Sequence, residues 1–328
     1  MNTPENIMGD AYIYVKIIYG GIIATVAYNF IASILRALGD SKTPLYFLIV
    51  SSVLNIILDL VFIINFKMGV AGAAYATIIS QGVSAILCLI YTYKRFTILR
   101  LKKEDFNVKR RYYHKHLKIG IPMALQFSIT SIGIMTVQGA LNVFGSTVIA
   151  SYTAASKALQ LVMQPAITFG VTMATYCGQN LGAKEYGRIK EGVKECTKIS
   201  IITSIIAGAV LMFLGKYFVM MFISNPDAEV LKYAQQVLDI SAIFFIPLGL
   251  IFIHRNALQG IGDSFVPMMA GAYELIARAI VAFTLPKYLG FMGICLADPV
   301  AWLAAEIPLA ITYFKRIRNL LKHGNIKV

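Results

Sequence analysis

Several ionisable side chains stand inside stretches of this sequence that are otherwise too apolar to hold them. Glu274 and Arg278 lie four residues apart in one such stretch, with the acid first. Asn55 and Asp59 repeat that spacing in another. Lys157, Gln160 and Gln164 make one polar face with Thr153 and Ser156 beside it, and Glu306 stands alone near the middle of the last apolar run. An ionised group at the centre of a bilayer costs at least about 2.5–3.5 kcal/mol on insertion scales, so each of these needs a partner or a task. Carboxylates in such places bind and release protons or cations. Counting 1.5 Å per residue from the cytoplasmic end of their helix, Glu274 and Arg278 sit about 13 and 20 Å in. Their order favours an ion pair within one helix. Such a pair either neutralises itself or lets Glu274 alternate between Arg278 and a proton or cation. Glu306 has no compensating charge in its own run before Lys315 and Arg316, which makes it a candidate for substrate or proton binding. Asp59 reads either as a helix-end carboxylate or as a cation ligand. Lys157 either meets a carboxylate across its lobe or lines a cavity. Asp239 and Lys16 read as interfacial anchors.

Other chemistry is thinly supplied. No nucleophile and base fall together in a recognisable spacing, so no catalytic residue is assigned. Gly182 to Gly187-Arg188-Ile189 has the glycine spacing of a phosphate loop but lacks its Lys-Ser/Thr. His114 and His116 have no acidic or cysteine neighbours to complete a metal site. The four cysteines are scattered through apolar segments and read as packing thiols. No cofactor is expected, and energy for any transport would come from an H+ or Na+ gradient.

The elements that must position these residues are membrane spans. Of the 328 residues, 58% are hydrophobic and only 14% charged, with a mean hydropathy of +0.69. Soluble domains carry about 25% charged residues. A helical span needs roughly 20 apolar residues. About nine stretches qualify, at roughly 11–35, 45–66, 70–93, 118–143, 148–177, 198–222, 229–258, 266–286 and 291–314. Pro165 and Pro247 fall inside two of them and should bend them. The net charge of +14 could suggest nucleic acid, but 23 of the 30 Lys and Arg cluster in alternate connections and the tail. That is the positive-inside pattern, and it puts 36–44, 94–118, 178–198, 255–265 and the C-terminus in the cytoplasm. The third span carries small residues at every fourth position, Gly72, Ala76, Ser80, Ser84 and Cys88, read as a helix-packing stripe.

The chain also repeats itself. Gly39-Asp40-Ser41 with Pro44 returns as Gly262-Asp263-Ser264 with Pro267, and Gly69-Val70-Ala71-Gly72 is echoed by Gly290-Phe291-Met292-Gly293. Spans one to three therefore match spans seven to nine. Glycine ends a helix in the left-handed conformation, Asp or Ser caps the next, and Pro suits its first turn. The expected organisation is three helices of an N-lobe at 1–95 and a basic cytoplasmic linker at 96–117. A six-helix C-lobe at 118–314 and a basic cytoplasmic tail at 315–328 follow. Counterparts of spans four to six would lie upstream of Met1, so the sequence reads as an N-terminally truncated member of a two-lobed, parallel-repeat plan.

The run Leu35 to Pro44, then Leu54-Asn55-Ile56-Ile57-Leu58-Asp59, then Gly69 to Thr77 resembles the multidrug and toxic compound extrusion (MATE) family. So do Gly178-Gln179-Asn180-Leu181-Gly182-Ala183-Lys184 with Arg188, and Gly260-Ile261-Gly262-Asp263-Ser264. The resemblance implies an all-α polytopic protein of the bacterial inner membrane, working as a monomer. Its activity would be antiport by alternating access between two lobes, exporting organic cations or other toxic small molecules against H+ or Na+. Relatives often carry a coupling carboxylate in the family's first helix and another in the first helix of the second lobe. The latter helix here offers Gln126, Thr136, Gln138 and Asn142 instead. Two rival readings are a lipid-linked oligosaccharide flippase of related architecture, which would want a strongly cationic cavity, and a non-transporting fragment or scaffold.

Overall fold

The computed structural model describes residues 5–223 and 226–324, and among them every regular element is helical. In chain order these are α1 (Glu5–Gly20), α2 (Ile22–Ala37), α3 (Lys42–Leu60), α4 (Gly69–Arg95), α5 (Arg110–Leu141), α6 (Ser146–Val162) and α7 (Gln164–Gly182). There follow α8 (Tyr186–Met220), α9 (Ala228–Ile243), α10 (Phe245–Gly260), α11 (Phe265–Thr284), the short α12 (Pro286–Leu289) and α13 (Phe291–Cys295), and α14 (Ala297–Gly324). They form two compact units, Met1–Val108 and Lys109–Val328.

Eight of the expected spans are long and apolar enough to cross a membrane, two of them as bent pairs. The first is α1 with α2, bent by 46° at Gly21, and the other is α9 with α10, bent by 56° at Phe244. These breaks lie at the same place in the repeat. The ninth stretch, 148–177, is divided into α6 and α7 at Met163. Pro165 and Pro247 stand just past two of the breaks. Each lacks the N–H that would reach back four residues, so the helix stops and restarts instead of bending smoothly. The basic segment before 118 is not all loop, because α5 begins at Arg110 after extended Lys109. No Gly or Pro interrupts residues 110–119, so nothing there opposes the helix.

The repeated corner is built alike in both units. Gly39 and Gly262 have φ of 90° and 88°. The Asp40 N–H donates to the Leu35 carbonyl and the Asp263 N–H to the Leu258 carbonyl, both at 2.9 Å, closing a Schellman turn. The Asp side chain then caps the following helix: Asp40 Oδ1 accepts from the Thr43 N–H at 3.0 Å, and Asp263 Oδ1 from the Val266 N–H at 3.4 Å. Pro44 and Pro267 are buried in the first turn beyond, and the Tyr28 hydroxyl donates to the Pro44 carbonyl at 3.0 Å. Partial burial pushes the Asp40 carboxyl up, but bonds from Thr43, Tyr91 and Lys42 outweigh it and hold the pKa below its ordinary value. The cap therefore contributes fully above the ordinary carboxylate pKa and is lost as pH falls through the lowered one. Asp40→Ala should cost about 1 kcal/mol at neutral pH and progressively less in acid, read as thermal midpoints of variant and parent across pH.

In the first unit, Tyr28, Ile31, Ala32 and Leu35 of α2 bury against Ala85 and Cys88 of α4. Gly72, Ala76, Ser80, Ser84 and Cys88 are all buried, so the small-residue stripe packs helices. In the second unit α11 lies between α5 and α14, and α10 packs on α7, α8 and α14. A large apolar core runs through it from Val137 to Ile317.

Candidate functional site

Arg255, Glu274, Arg278 and Asp298 of the second unit converge, each paired with a residue of another helix. Glu274 and Arg278 do not pair with each other. Arg255 Nη2 of α10 donates to Glu274 Oε1 at 3.1 Å, and Arg278 Nε donates to Asp298 Oδ1 of α14 at 2.7 Å. The Tyr152 hydroxyl of α6 donates to the other oxygen, Oδ2, at 2.8 Å. Glu274 and Arg278 are each only 4% exposed. A surface i,i+4 pair is worth about 0.3–0.5 kcal/mol, so charge-assisted bonds to other helices in a water-poor interior outweigh it. The expectation of an intrahelical pair is corrected accordingly. Arg255, read from sequence as charge at a helix end, is buried and bound inside the unit.

Glu306 is also compensated, by a residue that the sequence did not point to. His254 Nδ1 lies 2.7 Å from Glu306 Oε1, a hydrogen bond whose donor is set by the tautomer of the ring, and the ring packs beside Tyr313 and Phe314. Glu306 Oε2 is buried without a partner.

Arg255, Glu274, Arg278 and Asp298 line a cavity of about 330 Å³ within the second unit. Its α5 wall presents Gln126, Phe127, Thr130, Ile134 and Gln138, and its α6 wall Tyr152, Ser156 and Gln160. Leu248, Ile251 and Phe252 of α10 and Trp302 of α14 supply much of its apolar surface. Gln259 Nε2 donates to Gln126 Oε1 at 2.9 Å, tying α10 to α5 beside it. A β-carbon at Gly133 would collide with Arg278 Nη1, so glycine makes room for the guanidinium.

The remaining sequence candidates fall elsewhere or on the margin. Gln160 lines the cavity, whereas Gln164 is exposed and donates to the Gln160 carbonyl at 3.1 Å. Lys157 is exposed with its ammonium 5.7 Å from the Phe222 ring centroid, and it does not line the cavity. Asn55 and Asp59 lie half-buried on α3 in the first unit, where Asn55 Nδ2 and Asp59 Oδ1 are buried without partners. Asp298, Tyr152 and His254 were missed. The signal for Asp298 was a carboxylate about two turns inside an apolar span; for His254 it was an imidazole beside an arginine at the end of an apolar run.

The internal repeat supplies a control. At the repeat offset that aligns the two Gly-Asp-Ser corners, Arg255, Glu274 and Arg278 correspond to Ala32, Ser51 and Asn55. The first unit builds the same bent pair and corner without these charges. The bent pair and the corner therefore do not require them.

The sequence profile of the MatE family matches residues 1–61 and 122–284. The chain is 34% identical over 318 residues to the probable multidrug resistance protein YpnP of Bacillus subtilis (strain 168), covering 95% of this chain and 70% of that one. It is 28% identical to the probable multidrug resistance protein YoeA of the same organism, covering 96% and 70%. A solved outward-facing multidrug resistance MATE family transporter of the MOP superfamily superposes with a TM-score of 0.88. It is 22% identical, with 94% of this chain and 69% of that chain covered. With its bilayer-length helices and matching profile, this chain belongs to the MatE family of multidrug efflux transporters, as a multi-pass membrane protein.

Proposed function

We propose that the chain acts as a secondary active antiporter. It would export organic cations or other toxic small molecules in exchange for H+ or Na+, by alternating access between two lobes, as a monomer in the bacterial inner membrane with its C-terminus in the cytoplasm. The observation that carries this reading is the buried charge network at the cavity of the second unit, set in a fold whose repeat does without it. The cavity has the mixed character of a small-molecule site, with apolar walls and a few fixed polar groups. Glu274, Asp298 and Glu306 are the carboxylates of the second unit available to exchange a proton or cation, with Arg255, Arg278 and His254 as the groups they would exchange with, and Asp59 is the corresponding candidate in the first unit. Gln160, Gln126 and Thr130 would orient cargo. The flippase alternative is weaker, because both arginines of the cavity are already compensated by carboxylates.

The test is gradient-driven flux through proteoliposomes. Fluorescent cargo should move under an imposed H+ or Na+ gradient and stop when that gradient is collapsed. Flux unchanged by either gradient would overturn antiport.

A further inference from the structure

We infer that the charged end of the second unit holds the phosphate of an anionic phospholipid, in a cavity framed by α5, the Gly262 corner and α14. The inference stands apart from the transport reading and holds whatever cargo moves. The cavity measures about 510 Å³ and is lined by Lys118 and Pro122 of α5, residues 261–265, and Arg316 and Leu320 of α14. Its cations are open to the surface. Lys118 is exposed, and the Arg316 side chain is 56% exposed although its Nε and Nη2 donate to Asp263 Oδ2 at 3.1 and 2.8 Å. That pairing neutralises Asp263, the acid of the lining. A second cavity shares Lys118 and is lined further by Arg110, Arg111, His114 and Lys115.

Among the described residues no carboxylate is ion-paired with Arg110, Arg111, Lys115 or Lys118. Arg111 and Lys115 stand four apart on α5, a spacing at which like charges repel. A phosphate supplies the negative charge and the acceptor oxygens that the unit itself does not. The positive-inside pattern asks only for cations within a connection, whereas here α5 and α14 bring theirs to one cavity. Apolar surface beside the cavity selects a lipid over free phosphate. Ile121 and Leu125 follow Lys118 on the same face of α5 and are 53% and 49% exposed, and Phe265 of the lining is 61% exposed. Lys118 is also the last charged residue before the apolar run of α5, which sets the cavity at the depth of lipid headgroups.

The purified full chain in neutral detergent would be titrated with phosphatidylglycerol and with phosphatidylcholine, and bound lipid counted by native mass spectrometry. Phosphatidylglycerol should bind at a Kd at least about tenfold below that of phosphatidylcholine, and inorganic phosphate in about a hundredfold excess should not displace it. Lys115→Gln/Lys118→Gln should weaken phosphatidylglycerol about thirtyfold, on a scale of about fivefold per basic residue near an anionic headgroup, and leave phosphatidylcholine unchanged. Lys190→Gln/Lys194→Gln removes two exposed lysines of α8 in the same unit and should weaken it less than about twofold. Melting profiles of both double variants should match the parent. If Lys115→Gln/Lys118→Gln does not fold, Arg111→Gln carries the test with about a fivefold loss. Three results would each overturn the proposal. Equal Kd values for the two lipids would show no headgroup selection, displacement by phosphate would show a free-anion site, and equal losses from the two double variants would show only a diffuse positive surface.

Discussion

Asp298→Leu should lower the stability of the second unit by about 3–5 kcal/mol, the expected cost of leaving a buried ionic partner uncompensated. Its carboxylate holds Arg278 Nε at 2.7 Å and the Tyr152 hydroxyl at 2.8 Å, and Arg278 is almost wholly buried. Without Asp298 the guanidinium has no carboxylate bonded to it. If Glu274 were instead the partner of Arg278 within α11, as sequence spacing suggests, losing Asp298 would cost no more than about 0.5 kcal/mol. The two cases differ several-fold, so one comparison of unfolding midpoints in detergent decides between them. The double variant Asp298→Leu/Arg278→Met should recover most of the loss, because exchanging both members of a buried pair for apolar groups is often neutral. An Asp298→Leu protein that melts with the parent would show that this pairing does not hold the helices together.

Gradient-driven export by Glu306→Gln should fall at least about tenfold, with a stability change within about 1 kcal/mol. Glutamine can accept from or donate to His254 Nδ1, now 2.7 Å from Glu306 Oε1, so the contact between α10 and α14 survives with either tautomer. What glutamine cannot do is gain and lose a proton or hold a cation. The buried, unpartnered Oε2 is the atom where that exchange would occur. Flux and thermal midpoint measured on the same preparations separate the two effects. Full transport by a stable Glu306→Gln protein would remove this carboxylate from the coupling machinery.

The two substitutions bear on one architectural point. The second unit threads charged pairs through helices α10, α11 and α14, whereas the first unit carries Ala32, Ser51 and Asn55 at three of the equivalent places. The duplicated corner and bent pair therefore form in the first unit without those three charges. Ionisable groups in a membrane interior are costly enough to be retained only with a task or a partner. Here they have partners.

What the amino-acid order determined on its own was everything governed by short-range rules. Apolar length set eight of the spans as single helices or bent pairs. Gly39-Asp40 and Gly262-Asp263 specified the two corners, because only a residue tolerant of positive φ followed by a capping carboxylate closes that turn. The motifs also carried the family. Helix breaks at Gly21, Met163 and Phe244 were less legible, since proline marks only two of them and does so from a few residues downstream.

Only the tertiary structure decided which charge answers which. Arg278 finds Asp298 20 residues on, Arg255 finds Glu274 19 residues on, and His254 finds Glu306 52 residues on. Tyr152 reaches Asp298 across 146 residues. Such pairings depend on how each helix is rotated about its axis and which neighbour it packs against. Spacing within one helix could offer Glu274 only Arg278, and it could not reveal that three other helices hold stronger partners for the charges of this lobe.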